Sequence, residues 1–343
     1  MGIIYTALRK SFSGPRQFWG VAKGSTGPRI LIVAPGEKTM PVEGWGAVEA
    51  ICFDLYRGLS GRGQTVAMLN SWNILYWFKA FAWGPTVVVN HYDIFSKALG
   101  ILCRAFRMKL ITVSHYGYAG FPELWSKETR GVMKATAESD LVVCLSRKIR
   151  DVWTREFQIK NSTVIPNYVK AEVFLTKKAA ARRFICVGKV EPRKRQVDLV
   201  QLLGDAVSIE FVGEIVDSRF HSLPKKAKEC FLGPWDRSTL VERLSDYEYL
   251  VLPSDGEADA LVLYEGQAAG LGLICTPESM GAQDDNLDWV QISPLSEMKH
   301  VLLRAPKMTG AQRAEIHTHA REHYSLEKWL DAWQRCIDSL GTK

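Results

Sequence analysis

Short apolar runs recur along the chain, separated by longer stretches of helical periodicity. Residues 29–34 read Arg-Ile-Leu-Ile-Val-Ala, and similar runs follow at 65–69, 86–89, 110–113 and 141–145. They are β-branched and lack polar alternation, which suits parallel strands covered on both faces. Helix-length segments lie between them, as at 46–61 and 95–108. The pattern then restarts with runs at 183–188, 208–213, 249–253 and 273–276. Two successive β/α series predict two doubly wound Rossmann-like domains, with ligands beyond the C-terminal ends of the strands and in the cleft between the domains. We expect an N-terminal domain over 1–170, a C-terminal domain over 171–325, and a last helical segment, 326–343, returning toward the first domain. A length of 343 residues agrees with two cores.

One stretch breaks from this regularity in an informative way. Leu252 to Gly270 runs from an apolar strand into a loop and then a helix, with Glu257 and Glu265 eight positions apart. Unpaired amide groups at a helix N-terminus suit a phosphate, and a carboxylate one or two turns on reaches a ribose hydroxyl. The residue types therefore suit a nucleotide with a further group attached; an acidic loop before an ordinary helix is the alternative.

Charge adds a second clue. The net charge of +7 is unevenly spread: residues 1–170 hold 22 Lys and Arg against 11 Asp and Glu, and the remainder 22 against 26. A basic first half suggests an anionic partner, such as a membrane surface or a phosphorylated substrate. Two segments there, 72–83 and 95–109, mix aromatic, apolar and basic residues in the manner of a lipid interface. No recognisable nucleic-acid module accompanies the charge, so no nucleic-acid partner is expected. No apolar run reaches the roughly 20 residues that span a bilayer, and residues 1–10 lack the layout of a secretory signal. The seven cysteines are scattered through apolar runs without metal or redox spacing. The expected setting is the cytoplasm, peripheral on the inner face of the membrane.

Several landmarks occur in a recognisable order. They are Gly44-Trp45-Gly46-Ala47-Val48-Glu49, Ser114-His115, Val164-Ile165-Pro166-Asn167-Tyr168-Val169 with Phe174, Val187-Gly188-Lys189-Val190-Glu191-Pro192-Arg193-Lys194, and Glu257 to Glu265 with Leu261 and Gly270. In these the chain resembles retaining glycosyltransferases of the GT-B fold, close to glycosyltransferase family 4. The resemblance implies an α/β architecture of two Rossmann-like domains facing each other across a cleft. It implies transfer of a sugar from a UDP- or GDP-sugar to a hydroxyl of a glycan or lipid-linked, lipopolysaccharide-type acceptor. No cofactor or metal is implied, and no Asp-x-Asp follows a strand.

The same resemblance implies residue roles. Lys189 and Lys194 would meet the donor diphosphate, with Gly188 on their loop. Glu257 would lie beside the donor sugar. His115 would donate to a sugar hydroxyl, and Gly46 would allow close approach of the backbone. The amides of Asp259, Ala260 and Leu261 would face the phosphates, and Glu265 would accept from the ribose. Trp45 and Glu43 would border the acceptor. The family's usual Glu-Gly-Phe-Gly stands here as Glu257-Ala258-Asp259-Ala260, which puts a carboxylate where an anion is expected. That side chain must turn away for phosphate to bind. Two other readings fit the same residues: a sugar-nucleotide-binding subunit without catalysis, and another GT-B enzyme such as an epimerase.

Overall fold

The structure is a computed structural model that describes residues 14–20, 27–42, 46–177 and 180–341. The chain divides into two compact units, Met1–Ile165 with Leu330–Lys343, and Pro166–Trp329. The first boundary falls five residues before the one read from the sequence, and the second falls inside the last helix rather than at its start.

The first unit carries a seven-stranded sheet in the order β1-β3-β2-β4-β5-β6-β7. Its strands are β1 (Arg16–Gly20), β2 (Arg29–Val33), β3 (Thr65–Ser71), β4 (Val87–Asn90), β5 (Lys109–Val113), β6 (Leu141–Cys144) and β7 (Ser162–Val164). All neighbours are parallel except β1 with β3. The inner strands are buried along nearly their whole length, as continuous apolar runs require. Edge strand β1 was not anticipated. Its Arg-Gln-Phe-Trp-Gly sequence is half-exposed, so it lacks the apolar signature of the others. Helices α1 (Ala47–Gly61), α2 (Ile74–Ala82), α3 (Ser96–Ala105), α4 (Lys127–Ala137) and α5 (Arg147–Phe157) connect the strands.

In the second unit the sheet order is β12-β11-β10-β8-β9. Its strands are β8 (Arg182–Val187), β9 (Glu210–Val212), β10 (Tyr247–Leu252), β11 (Gly272–Cys275) and β12 (Val290–Ile292), all parallel. The helices are α6 (Gln196–Leu203), α7 (Lys225–Lys228), α8 (Arg237–Arg243), α9 (Leu261–Ala268), α10 (Leu295–Arg304) and α11 (Gly310–His323), and the last helix, α12 (Leu326–Gly341), begins here and belongs to the first unit from Leu330 on. Two apolar clusters cover the two faces of the sheet, one around Tyr247, Leu250 and Tyr264, the other around Phe211, Tyr249 and Ile274. Strand β8 has β9 on one side and β10 on the other, so its two neighbours are reached by crossovers that run in opposite directions. A switch of this kind opens a crevice beyond the strand ends. The loops after β8 and β10 border it.

Candidate functional site

The loop after β8 is built to approach another backbone closely. Gly188 and Gly213 take φ of +149° and +154°, and a Cβ on Gly213 would lie 2.0 Å from the Gly188 carbonyl oxygen. Only glycine fits that pair of loops. Gly188 N–H donates to Val212 O at 2.8 Å, and Val190 N–H to Glu214 O at 2.8 Å. A 3-10 turn over Pro192–Lys194 then swings Arg193 and Lys194 toward the loop after β10.

There they meet Glu257. Lys194 Nζ lies 2.6 Å and Arg193 Nη1 2.9 Å from Glu257 Oε1. Ser254 Oγ donates to the same oxygen at 2.8 Å. Arg193 also reaches Glu191 Oε1 at 2.7 Å and donates to Gly256 O. Burial alone raises the Glu257 pKa, but the Lys194 and Arg193 charges outweigh it and hold the carboxyl below its ordinary value. Glu257 is therefore an anion, and two cations are held in place beside the crevice. Lys189, on the same loop, is exposed and makes no ion pair among the described residues. Arg193 and Ser254 were missed as site residues from the sequence. In Arg193-Lys194-Arg195 a basic run looks like a solvated turn, and only the 3-10 geometry separates its members: Arg193 turns to Glu257, and Arg195 to Asp255.

Asp259 takes no part in that cluster. It is 6% exposed. Its carboxylate accepts hydrogen bonds from Asn167 N–H at 2.7 Å, Ala282 N–H at 3.1 Å and the Tyr264 hydroxyl at 2.7 Å. Asn167 Nδ2 donates to the Asp259 carbonyl oxygen at 2.8 Å. The side chain thus turns inward and ties three chain segments together. Burial pushes its pKa up to about 6, against the pull of these donors. Only the backbone amide of Asp259 is left for a ligand. The amides of Ala260 and Leu261 follow it at the start of α9, where Ala260 has extended backbone and no side-chain cap. A helix start without a capping side chain leaves amide groups for an outside acceptor.

Glu265, one turn into α9, pairs with Arg237 of α8, and the Arg237 guanidinium lies over the Phe174 ring at 5.2 Å.

In the first unit, His115 follows β5, and its Nε2 lies 3.1 Å from Nδ1 of His91, which follows β4. His91 packs on Trp333, with centroids 5.5 Å apart. Desolvation lowers the His115 pKa to about 4 and that of His91 well below its usual value, so the pair is neutral at pH 7. His91 was not anticipated; an Asn-His at a strand end gives no sign of a partner 24 residues on. Nearby, Asp93 accepts from Ser114 Oγ at 2.8 Å and Thr136 Oγ1 at 3.1 Å. Gly46 precedes α1 in extended backbone; a Cβ there would lie 2.8 Å from Val42. Glu43 and Trp45 lie outside the described residues.

Comparison with known proteins places this geometry in context. Residues 26–173 match the family described as Glycosyltransferase Family 4. No curated protein matches the chain at a significant level. Among solved structures, a sucrose-phosphate synthase from Thermosynechococcus elongatus superposes with a TM-score of 0.75 at 15% identity, covering 91% of this chain and 98% of that one. Anabaena HepE in complex with UDP and glucose gives 0.69 at 13% identity, with 91% and 100% covered. The lipopolysaccharide outer core galactosyltransferase WaaB gives 0.62 at 14% identity, with 90% and 99% covered. The fold is that of the GT-B glycosyltransferases.

Proposed function

We propose, from the family 4 match over residues 26–173 and the GT-B fold, that this protein is a retaining, metal-independent glycosyltransferase. It moves a sugar from a nucleoside diphosphate sugar to a hydroxyl of a glycan or lipid-linked acceptor. One observation carries the reading: Lys194 and Arg193 converge on Glu257 beside the uncapped start of α9, one turn before Glu265. A leaving nucleoside diphosphate gains negative charge as the glycosidic bond breaks. Cations already fixed at that place stabilise the transition state more than the ground state. Lys189, Arg193 and Lys194 supply that charge in this reading, and the α9 amides receive the phosphate oxygens. Glu265 takes the ribose hydroxyls once Arg237 yields. Glu257 holds the cations and accepts from the donor sugar.

UDP is the favoured nucleotide because HepE, of like fold, is solved with UDP and glucose. The lipopolysaccharide-type acceptor draws support from the likeness to WaaB and from the basic first half. No helix among the described residues is long and apolar enough to cross a membrane. Contact with a membrane-borne acceptor is peripheral in this reading.

A thermal-shift screen with UDP, GDP, ADP and their sugars tests the donor site. Stabilisation by one nucleotide supports it; no response to any of them overturns it. Donor turnover with and without acceptor separates an enzyme from a sugar-nucleotide-binding subunit. The anomeric configuration of the product, read by NMR, tests retention.

A further inference from the structure

We propose that the outward face of α2, with the basic outer face of α3, is a docking surface for an anionic lipid bilayer. This rests on the peripheral-membrane part of the proposed function and narrows it to one face of the first unit.

A surface helix normally hides one apolar stripe and offers a polar one to water. Helix α2, Ile-Leu-Tyr-Trp-Phe-Lys-Ala-Phe-Ala, does both with apolar residues. Tyr76, Trp77, Ala80 and Phe81 pack into the core cluster with Trp72, Phe95 and Leu99. Ile74, Leu75 and Phe78 point the other way and are 61%, 63% and 68% exposed. Single exposed apolar residues are ordinary. Three on one helix whose only charge is Lys79 are a different matter.

Helix α3 packs into the same cluster, through Leu99 and Cys103. Lys97, Ile101 and Arg104 repeat on its outer side at helical spacing, and Ile101 and the following Phe106 are well exposed. From Leu55 to Pro122 the chain holds seven Lys or Arg and a single acidic residue, Asp93. The Asp93 carboxylate is taken up by Ser114 and Thr136. Two of the seven cations pair with carboxylates outside that span, Arg62 with Asp331 and Lys109 with Asp140, and Arg104 borders a depression that Glu138 and Asp140 also line. Lys79, Lys97 and Arg104 themselves form no ion pair among the described residues and keep this face basic.

Large apolar side chains that alternate with Lys and Arg suit the headgroup boundary of a bilayer, where rings and branched chains enter and cations remain among phosphates. A second copy of the chain fits less well. A two-fold contact would set the same cations against each other. A nucleic acid would meet the charge and leave Ile74, Leu75 and Phe78 uncovered.

Vesicle sedimentation of the full chain tests this, with phosphatidylcholine vesicles alone and with phosphatidylglycerol added, at low and high salt. We expect binding to the anionic vesicles at low salt. Leu75→Asp/Phe78→Asp is expected to weaken it at least about tenfold, from the apolar area withdrawn from the lipid. Lys97→Gln/Arg104→Gln is expected to weaken it on anionic vesicles only. Both variants keep the thermal midpoint and the nucleotide response, because the altered side chains are exposed and the nucleotide loops belong to the other unit. If the wild type and the Asp variant bind alike, this face is wrong and peripheral binding stands. If the wild type binds no vesicle at low salt, both are overturned and the donor reading is untouched. A concentration-dependent dimer abolished by the Asp variant, without vesicle binding, replaces the bilayer with a second copy.

Discussion

Glu257, Lys194 and Arg193 show how single residues divide the work at the site. Each cation shares the same carboxylate oxygen, so removal of one leaves the other to hold Glu257. Lys194→Ala should therefore fold normally and lose at least tenfold in turnover, about 1.4 kcal/mol or more of transition-state stabilisation. Near-normal turnover, measured as UDP release, would contradict its role. Asp259 is the opposite kind of residue. Asp259→Ala leaves the buried Asn167 amide, the partly buried Ala282 amide and the buried Tyr264 hydroxyl without an acceptor, which should cost about 3 kcal/mol or more. Urea unfolding of the two proteins checks this.

The pH dependence of Asp259 has a definite sign. Its pKa rises from 3.8 to about 6 on folding, so the folded state binds the proton more tightly. Its contribution is complete below the unfolded value and declines as pH rises through the folded one. Relative to Asp259→Asn, the wild type should lose stability between about pH 4 and 6 and then stay level. Thermal midpoints across that range test it; a difference that grows with pH would refute the assigned direction.

At the scale of elements, the site depends on how loops are pinned to strand ends. Gly213 after β9 presses on Gly188 after β8. Gly213→Ala combines an unfavourable φ with a backbone clash, so the Lys189–Lys194 loop must shift. We expect a lower thermal midpoint together with weakened nucleotide binding by calorimetry; loss of stability alone would show that the loop does not position the cations. Helix α11 is pinned by fully buried Arg313, which donates to the carbonyl oxygens of Lys177, Ser245 and Tyr247. Arg313→Ala should destabilise the protein by about 3 kcal/mol or more, since three buried acceptors lose their donor. Equilibrium unfolding measures it. No sequence rule marks this arginine, since it sits in a polar segment that reads as a surface helix.

For the molecule as a whole, much of the fold and part of the site were legible in the sequence. Runs such as Ile30–Val33 and Leu250–Leu252 suit strands buried on both faces, and their regular alternation with helical stretches leaves few topologies. The restart near residue 183 is likewise a matter of pattern. Strand β1 was not legible, because an edge strand with one wet side needs no apolar run. The spacing of Glu257 and Glu265, and the split in charge between the two halves, also belong to the sequence alone. Backbone conformation and long-range pairing do not. Whether Asp259 faced a phosphate or the interior depended on Asn167 and Ala282, distant in the chain. That His115 has His91 as its neighbour, and that Glu265 is held by Arg237, were decided by which strand and helix ends meet. Periodicity is a local property that burial imposes on each segment. A side chain's partner is set only when segments far apart in sequence pack together.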